Sequence, residues 1–472
     1  YLFRQTIQLP SNVVIKGLGN ARTIFSFDQS GRHEPSIRIR GRELPTVTPL
    51  QANATRWQNE LIAEESQAAH VANGATIRTR QYDADLVYSS WAQYNTGQIV
   101  KVDSVKAGRL YLASPLRIDH PLSRQPGFTV IEPVAFTGIE CIKIIRQDNA
   151  NAGSGSANIE IRYAANCWVS SVESEKCNYG HVEVSHSRNL LFEDNYFHDA
   201  HSFGSGGRAY GVVLQYATGE VRVENNIFRR LRHSMLLQAG ANGNVFAYNY
   251  SYQSRKESLP GVFITGEDMV CHGNYPYQNL FEGNYGQFAS IDNSHGKNGP
   301  YNTFFRNLTT TSGFNITNSA SPLQHLIANH RLSGSNTILS SGHHITDNSW
   351  QGNSGLSHPS LLYDKTPSFL TSTGIGKIGP PAFNTSVTIP ARERMNIASP
   401  ITRKCDIIIW DGDHWLHNMA PSLHTSAYGL IIPKGTQATI AEHTNVKSIA
   451  LEMGSRLHVQ QGIQLQIIQK KE

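Results

Sequence analysis

The chain has 472 residues, of which 39% are hydrophobic and only 16% charged, and its formal net charge is +5. That length exceeds one ordinary core and suits either two or three domains or an architecture that grows by adding repeats. No apolar run reaches the roughly 18 residues of a membrane-spanning helix; the modest basic excess suits an anionic partner, and no nucleic-acid motif accompanies it.

Glycine, asparagine and serine are plentiful and leucine-rich helical stretches are scarce, which favours strands and turns. The five cysteines (Cys141, Cys167, Cys177, Cys271 and Cys405) are scattered and form no CxxC pair. A zinc knuckle is therefore not expected. Small buried thiols are, and the count leaves the compartment open.

The chain opens at Tyr1, already inside a strand-like phrase, so a leader or an earlier segment is expected upstream. Residues 1–32 read as first coils, with short apolar strands around Ile7–Lys16 and Thr23–Phe27 and a glycine-rich corner between them. Residues 33–125 break that rhythm. Gln58–His70 is the best helix candidate, and Gly97–Leu112 reads as a β-hairpin around Ala107-Gly108. This region is expected to be an insertion between coils, either decoration or a wall over a groove.

In residues 126–400 one phrase recurs, opening on an apolar residue and closing on asparagine. It reads Phe192-Glu-Asp-Asn195, Val223-Glu-Asn-Asn226, Phe246-Ala-Tyr-Asn249, Phe281-Glu-Gly-Asn284 and Phe304-Phe-Arg-Asn307, with weaker copies ending at Asn329 and Asn348. Successive asparagines lie roughly 20 to 35 residues apart, the period of solenoids. A strand followed by a tight corner needs this pattern, and stacked corners would let each Asn bond to the next. Residues 355–400 look like a loop-rich crossing segment. Residues 401–472 read as a small β-module.

The phrase Leu9-Pro-Ser-Asn-Val-Val-Ile-Lys-Gly-Leu-Gly-Asn20, continuing to Phe27, resembles the early coils of the pectate-lyase-like (pectin lyase fold) β-helix superfamily. The expected fold is all-β: a single-stranded right-handed parallel β-helix with an N-terminal insertion and a small C-terminal β-module. Right-handedness follows from the crossover preference and from the resemblance. The tail phrase Trp410-Asp-Gly-Asp-His-Trp415 resembles a β-module of secreted Bacteroidetes-type proteins. That resemblance implies export, to the medium or the cell surface, although the sorting signal itself is not visible.

Stacking brings equivalent residues of successive coils into line. Aligning the strand after each corner places Gln215, Gln238, Thr265, Asp292 and Thr317 in one row, with Glu267, Asp268, His295 and Lys297 just past it. His201, Arg208, Arg232 and His233 border the same strand from its other end. The resemblance implies a groove for a long carbohydrate, taken here as an anionic polysaccharide bound by a monomer. β-Elimination needs a base and a cation or metal that neutralises the uronate carboxylate. His233, His295 or Lys297 would be the base. Arg208 and Arg232 would hold carboxylates or sulfates. Asp268 and Asp292 would hold a cation, Ca2+ being the candidate, although no cofactor is certain. His201, Glu267, Gln215 and Gln238 would contact substrate. In the alternative, hydrolysis, Glu267 or Asp268 with Asp292 would be the carboxylate pair. The paired-aspartate and Gly-His-Gly phrases of polygalacturonases are absent, as are the usual calcium and arginine phrases of the commonest pectate lyases. A third reading is a non-catalytic carbohydrate binder or adhesin. Each candidate also has a plainer role: Asp268 and Asp292 as turn caps, His295 as a loop closure, Lys297 as a solvated lysine, and His272 as a buried corner histidine.

Overall fold

The computed structural model describes residues 1–150, 153–317, 321–339, 342–351, 358–370, 374–376, 378, 388–395, 407–409, 429–432, 434–446, 448–451 and 453–467. The chain winds as a right-handed parallel β-helix with three faces. The first face stacks strands such as Trp168–Ser170, Arg188–Glu193, Gly219–Glu224 and Val245–Ala247 in parallel register. The second holds Lys143–Arg146, Glu173–Glu175, Tyr196–His198 and Ile227–Arg229. The third holds Ile37–Arg40, Ile159–Arg162, Gly180–Ser185, Tyr210–Gln215, His233–Leu237 and Met269–Cys271. Tyr285–Ile291 turns from the second face to the third within one strand.

Strand alternation sends one residue set inward to a continuous apolar core. Phe246, Phe281 and Phe304, one per coil, stack inside it at centroid distances of 5.2 and 4.7 Å. Burying each ring contributes about 1.5–3 kcal/mol.

The recurring asparagines form the expected internal line. Each is fully buried, and the residue before it adopts positive φ, as in Asp194 (61°), Asn225 (57°), Tyr248 (54°) and Gly283 (63°). That left-handed step turns the chain and aims the Asn inward. Asn249 shows the bonding: its Nδ2 donates to Asn284 Oδ1 at 2.9 Å and to the Val223 carbonyl at 2.8 Å. Its own Oδ1 accepts the Asn226 amide N–H at 2.9 Å and Asn226 Nδ2 at 3.0 Å. The line runs from Asn195 through Asn226, Asn249, Asn284, Asn307 and Asn329 to Asn348. A second line, not anticipated from the sequence, joins Asn244, Asn279, Asn302 and Gln324 at another corner.

Ile37–Arg40 is a coil strand of the third face. Antiparallel strands from Arg42–Glu43 to Gly127–Glu132 follow it, around a separate core that includes Leu61, Ile77, Leu110 and Phe128. The hairpin at Ala107-Gly108 is present, with φ of 48° and 75° at the turn. The helix expected over 58–70 shrinks to Glu65–Ala68. Leu61 instead pairs with Leu110 in the strand Glu60–Ile62, because its burial in the sheet outweighs a weak helical face. Residues 358–370 and 388–395 lie over the coils: the Ser360 hydroxyl bonds Glu282, the Tyr363 hydroxyl bonds Glu224, and Arg394 Nη1 bonds Asn225 Oδ1 at 2.8 Å. In the tail, Gly429–Ile432, Gln437–Ile440 and Thr444–Val446 pair in parallel with Ser448–Leu451, Arg456–Val459 and Leu465–Ile467. These strands wind as coils themselves; the phrase Trp410–Trp415 lies outside the described residues.

Cys141 is disulfide-bonded, contrary to the expectation of thiols throughout, whereas Cys167, Cys177 and Cys271 are free and buried.

Candidate functional site

The outward residues of the third face make one polar line, a side chain per coil: Arg40, Arg162, Ser185, Gln215, Gln238, His272 and Asp292. Six steps of about 4.8 Å give it a length of about 29 Å, enough for several sugar units. Gln215, Gln238 and Asp292 thus align as expected, and Thr317 follows Asp292 in register. Thr265 does not. Lys256–Leu259 and Val262–Ile264 form an antiparallel hairpin that leaves the coil, and Met269–Cys271 supplies the coil strand. His272 stands where Thr265 was placed.

Rings bound this line in an unbroken series. Tyr179 meets Tyr210 and Tyr210 meets His233, both at 5.3 Å; His233 meets His272 at 5.3 Å and His272 meets His295 at 5.0 Å. Trp91, from the insertion, then bridges His295 at 5.7 Å and Tyr216 at 5.8 Å. Tyr216 stacks on His186 at 5.3 Å with only 3° between the planes, and His186 stacks on Tyr163 at 4.9 Å. Aromatic walls around convergent polar groups are the usual build of a saccharide or other ligand site. The insertion is therefore one wall of the groove. Asp83 fixes its loop by accepting from the Tyr94, Asn95 and Thr96 amides at 2.7, 3.0 and 2.9 Å.

At one end lies a cavity of about 370 Å³, whose lining includes Arg40, Trp91, Glu160, Arg162, Glu183 and His186. Glu160 and Glu183 lie in register on adjacent coils, both directed outward. Arg40 holds Glu160 through two hydrogen bonds, at 2.9 and 2.8 Å, and Arg38 adds one at 3.2 Å. Among the described residues, no guanidinium bonds Glu183. It accepts from the Gly155 amide at 2.7 Å, from Gln215 Nε2 at 2.9 Å and from the Ser154 hydroxyl. Gln238 Nε2 in turn donates to Gln215 Oε1 at 2.6 Å, so both amides point their donors toward Glu183. Burial pushes the Glu183 carboxyl above its ordinary range, more than these bonds lower it, and the charge of Glu160 adds to the rise. Burial, then Arg78, Arg162 and Arg80, push the His186 imidazole well down, so it is neutral at pH 7.

At the other end His272 Nδ1 lies 2.6 Å from Asp292 Oδ2, and the second Asp292 oxygen accepts the Ser294 amide at 3.0 Å. Burial raises the Asp292 carboxyl, but its bond to His272 and the charge of that ring outweigh this and hold it below the ordinary value. A carboxylate behind an imidazole fixes its tautomer and orientation. Burial and His272 lower His295, while burial, His272 and Arg232 push His233 well down. His233 Nδ1 lies 3.1 Å from the Glu267 carbonyl, and Glu267 is paired with Lys256.

The remaining expected residues scatter. Asp268 points into the coil, fully buried, and accepts from Ser251, Ser254 and the Gln287 and Phe288 amides. Burial raises it to about 6. It therefore shares no cation with Asp292, and the calcium site placed on those two is not assembled. Arg232 Nη1 donates to the Gly204 and Gly206 carbonyls, at 3.3 and 2.9 Å, and lies 5.9 Å over the Tyr210 ring. Arg208 donates to Ser202 Oγ at 3.1 Å, and His201 Nε2 lies 3.1 Å from the Arg146 carbonyl. Lys297 is half-buried, and its charge lowers the Asp85 carboxyl of the insertion, where Arg124 is the main cause. Among the described residues, Glu173, Glu175 and His198 have ligand atoms within 4.8 Å of one another, but Lys143 already bridges the two glutamates at 2.8 and 2.7 Å. Among the described residues, no helix is long and apolar enough to cross a membrane.

No family model and no curated protein matches the sequence. Among solved structures, the chain is similar to the tailspike protein gp49 from Pseudomonas phage LKA1, with a TM-score of 0.52 at 12% identity over 97% of this chain and 68% of that one. Tailspike gp61 of Pseudomonas phage phi297 gives 0.42 at 11% identity, over 77% and 70%. The Gp54 tailspike of Acinetobacter baumannii bacteriophage AP22, solved in complex with a capsular saccharide, gives 0.37 at 11%, over 72% and 62%. The first likeness is one of fold: both chains are parallel β-helices.

Proposed function

We propose that the protein cleaves a polysaccharide laid along the third face, by hydrolysis at Glu160 and Glu183. One observation carries this reading: a buried carboxyl with a raised pKa lies in register with a second carboxylate, held by guanidinium groups, in the lining of one cavity. Two carboxyls in such contrasting settings are suited to the acid and the nucleophile or base of glycoside hydrolysis. Glu183 would donate its proton to the glycosidic oxygen, and Glu160 would attack the anomeric carbon. Water deprotonated by Glu183 would then release the sugar from Glu160. The disulfide at Cys141 agrees with an exported protein.

A second reading, β-elimination, is favoured by the Asp292–His272 pair, an oriented imidazole that could abstract a proton, with Arg232 as the cation nearest to it along Tyr210 and His233. One assay separates the two. Acidic and neutral polysaccharides are incubated with the protein and read for reducing ends and for the absorbance of an unsaturated uronate. Reducing ends alone, lost in Glu183→Gln, support hydrolysis. Unsaturated product, lost in His272→Ala but not in Glu183→Gln, overturns it in favour of elimination. Tight binding without cleavage leaves the protein a binder.

A further inference from the structure

Five arginines, Arg38, Arg40, Arg78, Arg80 and Arg162, gather around the Glu183 cavity and the one that adjoins it. Arg38 and Arg40 are taken by Glu160, and Arg78 by Glu43 at 2.7 Å. Arg80 and Arg162 make no ion pair among the described residues. Arg162 Nη2 reaches only the Tyr163 hydroxyl, at 3.2 Å, and its Nε is buried without a hydrogen-bond partner. Arg80 lies 4.5 Å over the Tyr94 ring and lines a second cavity of about 350 Å³ with Arg42, Glu43 and Tyr163. Tyr163 of that cavity stacks on His186 of the first, so the two adjoin through one ring pair. His186 Nδ1 is buried and also lacks a partner. Burial and the neighbouring Arg78 lower Arg80 more than the charges of Glu43, Tyr94 and Asp83 raise it.

We infer that Arg162 and Arg80 form a subsite for an acidic substituent of the sugar, a carboxylate or a sulfate, at the Glu183 end of the groove. A planar guanidinium with a free edge suits bidentate contact with either group. The inference rests on the groove being a saccharide site.

The test is saturation-transfer NMR of the whole protein with glucuronic acid, glucose 6-sulfate and glucose. We expect the two acids to bind and glucose to bind far more weakly, with inorganic sulfate displacing both. The tighter of the two acids names the substituent. Arg162→Gln should weaken the acids about 10-fold or more, and Arg80→Gln should do so to a smaller extent. Arg109→Gln, an exposed change on the insertion, should leave binding unchanged. Equal binding of glucose and the acids, or unchanged affinity in both Arg162→Gln and Arg80→Gln, overturns the subsite and leaves the cleavage reading intact. Cleavage lost in Glu183→Gln together with unselective binding would separate the two in the same way. If Arg162→Gln does not fold, Arg80→Gln decides alone.

Discussion

Two lines of stacked side chains run along this molecule, and they are built on opposite rules. At the corner between the first and second faces, asparagine recurs in seven successive coils, and each donor and acceptor is met by the next copy. On the third face, the residue changes along the line: Arg162, Ser185, Gln215, Gln238, His272 and Asp292. Stacking is common to both. Identity along the line makes a scaffold that is closed to anything outside it. Variation makes a gradient of charge and proton affinity with buried atoms left over, such as Nε of Arg162 and Nδ1 of His186. A solenoid can hold a site at a rigid spacing only because another corner carries the repeat.

The sharpest way to break this contrast is to neutralise a carboxyl beside the varied line. Glu183→Gln should lower cleavage by roughly 100-fold or more, since a general acid contributes on that order, while the melting temperature changes little or rises. Steady-state rates beside a thermal melt measure both. Loss of fold with retained specific activity would reverse the assignment of the two lines.

Asp268 sharpens the contrast by pH. It was expected in the groove, and it lies inside the coil with a carboxyl raised to about 6 from 3.8. The folded state therefore holds this proton more tightly than the unfolded chain does. Its stabilisation is complete below about pH 4 and is lost as pH rises through 6, a swing of about 3 kcal/mol. Urea unfolding of the wild type and of Asp268→Asn across that range should show the swing only in the wild type.

Asn249→Ala removes one rung and strands the donors of Asn226. We expect a loss of roughly 1–3 kcal/mol in stability with no change in rate per folded molecule, measured by chemical unfolding and by activity at saturating substrate. A falling rate in a stable variant would mean that the two lines communicate.

The asparagine line was legible because repetition at a fixed corner is a sequence signal. The third-face line was legible only in part, because a register must be known before different residues can be aligned. Gln215, Gln238 and Asp292 were aligned correctly from their strands. His272 was missed because the exposed apolar hairpin, with Leu259, Val262, Phe263 and Ile264, imitates a coil strand and captured the alignment one element early. Glu160 and Glu183 precede the first clear copy of the corner phrase, so nothing marked their coils. Trp91 and Arg80 could not be found at all: they reach the groove only because the insertion folds back onto it, which brings residues more than a hundred positions apart together. The surviving clue was physical. Ile-Glu-Ile-Arg from Ile159 and Val-Glu-Val-Ser from Val182 place a glutamate at the outward position of consecutive apolar strands, where a plain sheet face has no need of one.

The smallest expected effect lies at Ser154, which touches Glu183 without being part of the coil. Its hydroxyl donates to Glu183, and of the groups that lower this carboxyl it is the largest. A hydrogen bond to the charged form favours that form, so Ser154→Ala should raise the Glu183 pKa further. An acid is active while protonated, so hydrolysis falls as pH rises through that value. The alkaline limb of the pH–rate profile should move upward in Ser154→Ala, while the rate on the acid side stays within a few-fold of wild type. Glu183→Gln should have no such limb at all. A limb that stays in place in Ser154→Ala would mean that another group sets it, and Glu183 would then belong with the asparagines as scaffold.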